Sequence, residues 1–162
     1  MAEFDKYSDV IDSRDVIAGI EELESLQSNL NEAETAWKEA HEKFLNSEDE
    51  DGPLADELVE AEEAKSNAED LFGEDGEKEL ADLQSLAEEG SGSPDWAYGE
   101  TLIRDSYFET YCQELAEECG YMDAKHANSW PFTCIDWERA ARELQYDYTS
   151  IEFSGITYWI RS

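Results

Sequence analysis

Outside its carboxylates, this chain has few side chains that could do chemistry. His41 and His126 are the only histidines, and Cys112, Cys119 and Cys134 the only thiols. A histidine acts as a general base when it activates a nearby hydroxyl or thiol, and neither one stands at a motif spacing from a Ser or Cys. No Gly-x-Gly-x-x-Gly, phosphate-binding loop or His-Glu-x-x-His occurs in the chain. Cys112 and Cys119 fall on one helix face two turns apart, and the three cysteines read as buried, reduced thiols of a cytosolic protein. Ser47-x-Asp49-x-Asp51-Gly52 resembles the opening of a calcium loop. Its twelfth position is Leu58, where a bidentate Glu is required, so the segment reads as a turn. The expectation is a protein that is not an enzyme and takes no metal or other cofactor.

The carboxylates are the dominant chemical resource. Asp and Glu number 43 against 11 Lys and Arg, a formal net charge of −32. Residues 1–46 carry 12 acids and 4 bases, residues 47–90 carry 18 and 2, and residues 91–162 carry 13 and 5. Such a surface repels nucleic acid and anionic membrane and attracts proteins that hold polyanions. A solvated helix face normally mixes its signs. Here Glu57, Glu60, Glu62, Glu63, Glu69 and Asp70 meet only Lys65, while Glu74, Asp75, Glu77, Glu79 and Asp82 meet only Lys78. Like charges at helical spacing cost about 0.2–0.5 kcal/mol per pair, a loss that wants a reason. Duplex DNA carries one charge per ~1.7 Å, so 32 charges match ~50 Å of duplex. A helix of about 34 residues is also ~50 Å long. Carboxylates along such a rod can stand where phosphates would. The residues expected to do so are Glu21, Glu24, Glu32, Glu39, Glu48, Asp49, Glu50, Asp51, Glu57, Glu60, Glu62, Glu63, Glu69, Asp70, Glu74, Asp75, Glu77 and Asp82.

Helices must position those groups. Residues 12–46 read as one long helix, capped by Asp12 or Ser13, with a stripe of Val16, Ile20, Leu23, Leu26, Leu30, Ala33, Trp37, Ala40 and Phe44. Pro53 opens a second helix to about residue 72, with Leu54, Leu58, Ala61, Ala68 and Leu71 inward. A shorter helix carries Leu80, Leu83 and Leu86. Short connections make such helices antiparallel neighbours. Gly90-Ser91-Gly92-Ser93-Pro94 reads as a linker.

After it, residues 99–119 look helical, with Gly120 as the stop, followed by a loop and a helix over 135–144. Ser150–Phe153 and Ile156–Ile160 flank Ser154-Gly155, a hairpin signal. Four of the five Trp lie beyond residue 90, which places the main core in this half. The fold class expected is α+β: an acidic antiparallel helical arm at 10–89 and a compact α+β module at 96–162 ending in a β-hairpin. No apolar run is long enough for a membrane helix, and the acidic N-terminus lacks a signal-peptide core, so a cytoplasmic location is expected.

Residues Ile135-Asp136-Trp137-Glu138-Arg139-Ala140-Ala141-Arg142-Glu143-Leu144, then Asp147-Tyr148, then Gly155-Ile156-Thr157-Tyr158-Trp159-Ile160-Arg161 resemble the C-terminal segment of the ArdA antirestriction family. Tyr107-Phe108-Glu109-x-Tyr111 and Glu114-Leu115-Ala116 are similar to phage-encoded relatives of that group. The resemblance covers roughly residues 96–162. Family members carry acidic α/β modules upstream, where this chain has helices. The resemblance implies an acidic DNA mimic, commonly dimeric, that binds type I restriction–modification enzymes in place of DNA. The expected function is therefore inhibition of a DNA-binding host defence complex in the host cytoplasm, with no direct contact to nucleic acid or membrane. A homodimer is expected, and Tyr158 and Trp159 are either its face or part of the core. Alternatives are an inhibitor of another nucleic-acid-binding complex, such as a CRISPR effector, or a coiled-coil scaffold.

Overall fold

The structure is a computed structural model that describes residues 5, 7–47, 52–123 and 125–162. It is an α+β fold made of two units: residues up to Ile17 together with Leu83–Ser162 form one, and Ala18–Asp82 form the other. Helices α1 (Ser13–Leu45) and α3 (Gly76–Gly90) contribute residues to both units, while α2 (Pro53–Phe72) lies wholly in the second. No helix among the described residues is long and apolar enough to cross a membrane.

The cap of α1 is Asp12. Its Oδ1 accepts from the Arg14 backbone N–H at 2.9 Å, and its Oδ2 pairs with the Arg14 guanidinium at 2.6 Å. That pairing holds the Asp12 carboxyl below the usual carboxylate range. The whole expected stripe of α1, from Val16 to Phe44, is buried or half-buried. Lys43 Nζ reaches Glu57 Oε1 at 2.7 Å, and Lys65 Nζ lies 4.8 Å from the centre of the Trp37 ring. Position falls from 43 to 37 on α1 as it rises from 57 to 65 on α2, so the two helices run antiparallel, as expected.

Helix α2 corrects one expectation. Leu71 is 69% exposed, and its neighbour Phe72 is buried. Leu54, Leu58, Ala61, Lys65, Ala68 and Phe72 follow spacings of four and three and form the inward line. Leu71 lies ~100° off that line. The Phe72 ring lies against Gly76, where a Cβ would sit 2.9 Å from three ring carbons.

The other unit holds a four-stranded antiparallel sheet in the order β1-β2-β4-β3, with β1 Val10–Asp12, β2 Thr101–Arg104, β3 Tyr148–Phe153 and β4 Ile156–Arg161. The hairpin is as expected. Ser154 and Gly155 take φ of 50° and 78°, the left-handed pair that a two-residue turn requires. Alternation sorts the sheet into two faces. One carries Ile11, Leu102, Ile151, Phe153, Tyr158 and Ile160, all buried. On the other, Ile103 joins Phe108, Cys112 and Ala141 in a core, with Tyr148 and Trp159 packed against it. Helices α5 (Phe108–Glu118) and α6 (Trp137–Leu144) supply that layer.

Three expectations change here. The segment 99–119 is not one helix: β2 occupies Thr101–Arg104 and α5 starts at Phe108. Gly99, at φ +112°, breaks the chain between the single turn α4 (Trp96–Gly99) and β2. A Cβ at Gly99 would stand 2.9 Å from the Arg14 guanidinium. The supposed linker is a packed turn. Gly90 is buried, and a Cβ on it would lie 2.1 Å from the Trp96 ring. The unit boundaries differ from 89 and 96 because residues 10–17 and 83–95 fold with the sheet. Ser13 explains much of this. Fully buried, it donates from Oγ to the Trp96 carbonyl at 2.6 Å and accepts from the Glu100 N–H at 2.7 Å. Its own N–H donates to the Glu100 carbonyl at 2.9 Å.

The inward line of α2 gives a sharp contrast. Phe72→Ala should lower stability by about 3 kcal/mol, whereas Leu71→Ala should stay within about 0.5 kcal/mol, measured by urea denaturation. Equal losses would contradict the phase of α2 described above.

Candidate functional site: an acidic helical face

Residues 18–82 hold 23 acids and 4 lysines. The structure places the expected phosphate-like residues as follows. Glu21, Glu24, Glu32 and Glu39 are exposed on α1, and Glu57, Glu60, Glu62, Glu63, Glu69 and Asp70 are exposed on α2. Glu74 and Asp75 are exposed in the turn before α3, Glu77 is exposed in its first turn, and Asp82 is half-buried. Glu48, Asp49, Glu50 and Asp51 lie outside the described residues.

These acids do not form a single surface. At ~100° per residue, Asp56, Glu60, Glu63 and Asp70 share an arc of about 80° on α2, roughly opposite its inward line. Only Asn67 interrupts the row, at the one turn without an acid. On α1 the row opposite the apolar stripe is Glu21, Glu32, Glu39 and Glu42, diluted by Ser25, Ser28 and Thr35. Each row faces away from its own helix's seam, so the two look out on different sides of the pair. A flat partner surface would meet one of them.

The α2 row is the denser. It spans 15 residues, ~21 Å of rise. Counting Glu57, Glu62 and Glu69, seven exposed carboxylates occupy that length. Their mean axial interval is ~3.5 Å, close to the ~3.4 Å spacing of phosphates along one strand of duplex DNA. Among the described residues, local cations touch only the flanks. Lys43 engages Glu57 at 2.7 Å, and Lys65 engages Glu69 at 3.2 Å while lying over Trp37. No Lys or Arg stands on the row itself. Asp56 was missing from the expected set. Its signal was present as the first member of an i, i+4, i+7, i+14 series, which a list of charge runs does not resolve.

Tyr158 and Trp159 are core residues rather than an open face. Tyr158 is fully buried, and its hydroxyl donates to the Ser8 carbonyl at 2.9 Å. Trp159 is half-buried on the opposite sheet face, and its Nε1 donates to Asp105 Oδ1 at 2.8 Å. His41 stacks on Trp37 with ring centres 5.1 Å apart, and His126 Nδ1 lies 3.3 Å from Asp123 Oδ2. Among the described residues no group of three His, Cys, Asp or Glu converges to hold a metal ion.

A cleft of about 580 Å³ between α5 and α6 is floored by Tyr111 and Tyr148, whose hydroxyls are 3.1 Å apart. Burial, then that hydrogen bond, pushes the Tyr148 hydroxyl well above its ordinary pKa. Cys112 lines the same cleft, and burial raises its thiol as well.

No protein-family model, curated protein or solved structure matches this chain.

The thiols give a direct check of the core. Contrary to the expectation of three buried thiols, Cys119 and Cys134 are exposed, so at neutral pH a maleimide should label both readily and Cys112, buried at the wall of the cleft, at least ~10-fold more slowly. Equal labelling rates for all three thiols on the folded protein would place Cys112 outside the core.

Proposed function

We propose that this chain is a stoichiometric inhibitor that occupies the DNA-binding groove of a host defence complex, the helical unit standing in for duplex DNA. The single observation that carries the reading is the α2 row, where Asp56, Glu60, Glu63 and Asp70 lie exposed along ~21 Å with no cation among them. A groove lined with Lys and Arg for phosphates gains the same Coulomb attraction from carboxylates at that spacing. Carboxylates fixed to a helix cannot be cut or methylated as DNA can. The resemblance of residues 135–161 to the ArdA family favours a type I restriction–modification enzyme as the target. A phage or plasmid product acting in the host cytoplasm fits this role.

The test is inhibition of DNA cleavage by a purified type I restriction–modification enzyme, with the direct affinity measured alongside. Four phosphate-like contacts, each contributing a slope of ~0.9, predict ~100-fold weaker binding between about 50 and 200 mM salt. Duplex DNA should compete. Converting Asp56, Glu60, Glu63 and Asp70 to Lys should abolish inhibition with the helical circular dichroism intact. The same change at Glu21, Glu32, Glu39 and Glu42 should leave most of it. Affinity that is flat with salt, or a fully active α2 variant, would end this reading.

A further inference from the structure

We propose that the cleft between α5 and α6 binds a small zwitterion with an apolar body, of the α-amino-acid type. Arg161 takes its carboxylate, Asp147 its ammonium, and the two helices its side chain. The proposal does not depend on the inhibitor reading.

Two helix faces build the cleft. Tyr111 and Leu115, then Cys112 and Ala116, stand four apart on α5, and Ala140 and Leu144 stand four apart on α6. All six line the cleft. Ala116 and Ala140 are small where longer side chains would fill the space between the helices. The volume of about 580 Å³ falls within the ~300–1,000 Å³ of small-molecule sites. Apolar walls with a few polar groups at one end are the usual make-up of such a site.

The polar groups here come from the sheet. Tyr148 and Arg161 are directly opposed in the β3–β4 ladder, so their side chains leave the same face. The Arg161 charge is felt at the Tyr148 hydroxyl, where it opposes the effect of burial. Tyr111 and Tyr148 use one phenolic proton in the hydrogen bond between them. The other phenolic proton has no acceptor among the described residues. Asp147, which precedes Tyr148 in the chain, also lines the cleft.

Ion pairing singles out Arg161. Arg14, Arg104, Arg139 and Arg142 each pair with a carboxylate. Arg161 is the one arginine that has no such partner among the described residues, in a chain of 43 acids. Asp147 shares the cleft with it, yet the two do not pair with each other. Glu143, the remaining charge of the lining, is engaged by Arg139 at 3.0 Å.

Those two open charges define the ligand. A plain anion satisfies Arg161 and the spare phenolic proton but is repelled by Asp147. A plain cation satisfies Asp147 but is repelled by Arg161. A molecule that carries both charges at one end satisfies both and leaves its apolar part for Leu115 and Leu144. The net charge of −32 acts in the same direction. It repels an anion and disperses a cation over the acidic helices, and it leaves a zwitterion unaffected.

The experiment is a titration of the full chain at ~0.15 M salt, read at the cleft through the ring resonances of Tyr111 and Tyr148 in the NMR spectrum. The probe is L-tryptophan, a zwitterion with a large apolar body. Indole-3-propionate lacks its ammonium, and tryptamine lacks its carboxylate. L-Tryptophan should saturate the shifts with a Kd of ~1 mM or below, and each analogue should bind at least ~10-fold more weakly, the loss expected for one charged hydrogen bond.

Two variants at exposed positions separate charge recognition from a structural role. Arg161→Gln should weaken L-tryptophan at least ~10-fold while tryptamine binds no more weakly than before. Asp147→Asn should weaken L-tryptophan at least ~10-fold while indole-3-propionate binds no more weakly than before. The absence of any shift at ~20 mM L-tryptophan would overturn the proposal. So would equal affinity for the three probes, or a variant that weakens all three alike.

Discussion

Mutual repulsion among carboxylates acts against every packed contact in this chain, because 43 acids share 162 residues with 11 bases. The fold answers by separating charge from burial along each helix. On α1 the stripe from Val16 to Phe44 is buried or half-buried, and the acids stand on the remaining arc. On α2 the inward line is largely alanine and leucine, narrow enough to leave most of the helix circumference in water. Two of the scarce cations engage carboxylates beside the α2 row. Lys43 spans from α1 to Glu57, and Lys65 occupies an inward position of α2, its ammonium over Trp37 and within reach of Glu69. The row Asp56, Glu60, Glu63 and Asp70 holds no Lys or Arg.

The sheet unit solves a different problem. It buries one face of its sheet and covers part of the other, where the core is aromatic: Phe108 meets Tyr148 edge-on with ring centres 5.1 Å apart and Trp159 at 6.0 Å. Its polar groups are spent inward. Ser13, Tyr158 and Trp159 each give a hydrogen bond to a group distant in sequence. This leaves the C-terminal hairpin almost neutral in a strongly anionic chain. The hairpin and α2 thus differ sharply in charge: residues 148–162 carry one acid and one base, whereas residues 56–70 of α2 carry seven acids and one base.

Long periodic signals were legible in the sequence. The stripe of α1 specified a helix whose described ends, Ser13 and Leu45, lie within a residue of the expected ones, because 3.6-residue periodicity over eight turns has no competing reading. Pro53 marked the start of α2, and Ser154-Gly155 marked the hairpin, because each fixes φ through its own covalent geometry or lack of Cβ. Short segments were not legible. Thr101–Arg104 has two apolar residues in a row, which fit a helix face or a strand equally well, and only pairing with β1 and β4 decides. Leu71 and Phe72 are equally apolar neighbours, and the choice between them rests on the ring of Phe72 finding the bare Cα of Gly76.

By itself, then, the sequence determined the charge, the helical periods and the turn, since these depend on residue type and near-neighbour spacing. Tertiary structure decided which residues leave the helical part to join the sheet, which carboxylates share a face, and that Tyr158 is interior while Trp159 packs half-buried against the core. Those outcomes depend on contacts between residues far apart in the chain. Val10–Asp12 becomes a strand only because Thr101–Ile103 offers it a ladder, and Ser13 is buried only because Trp96 and Glu100 satisfy its hydroxyl. A backbone hydrogen bond between residues some ninety apart leaves no local trace in composition or period.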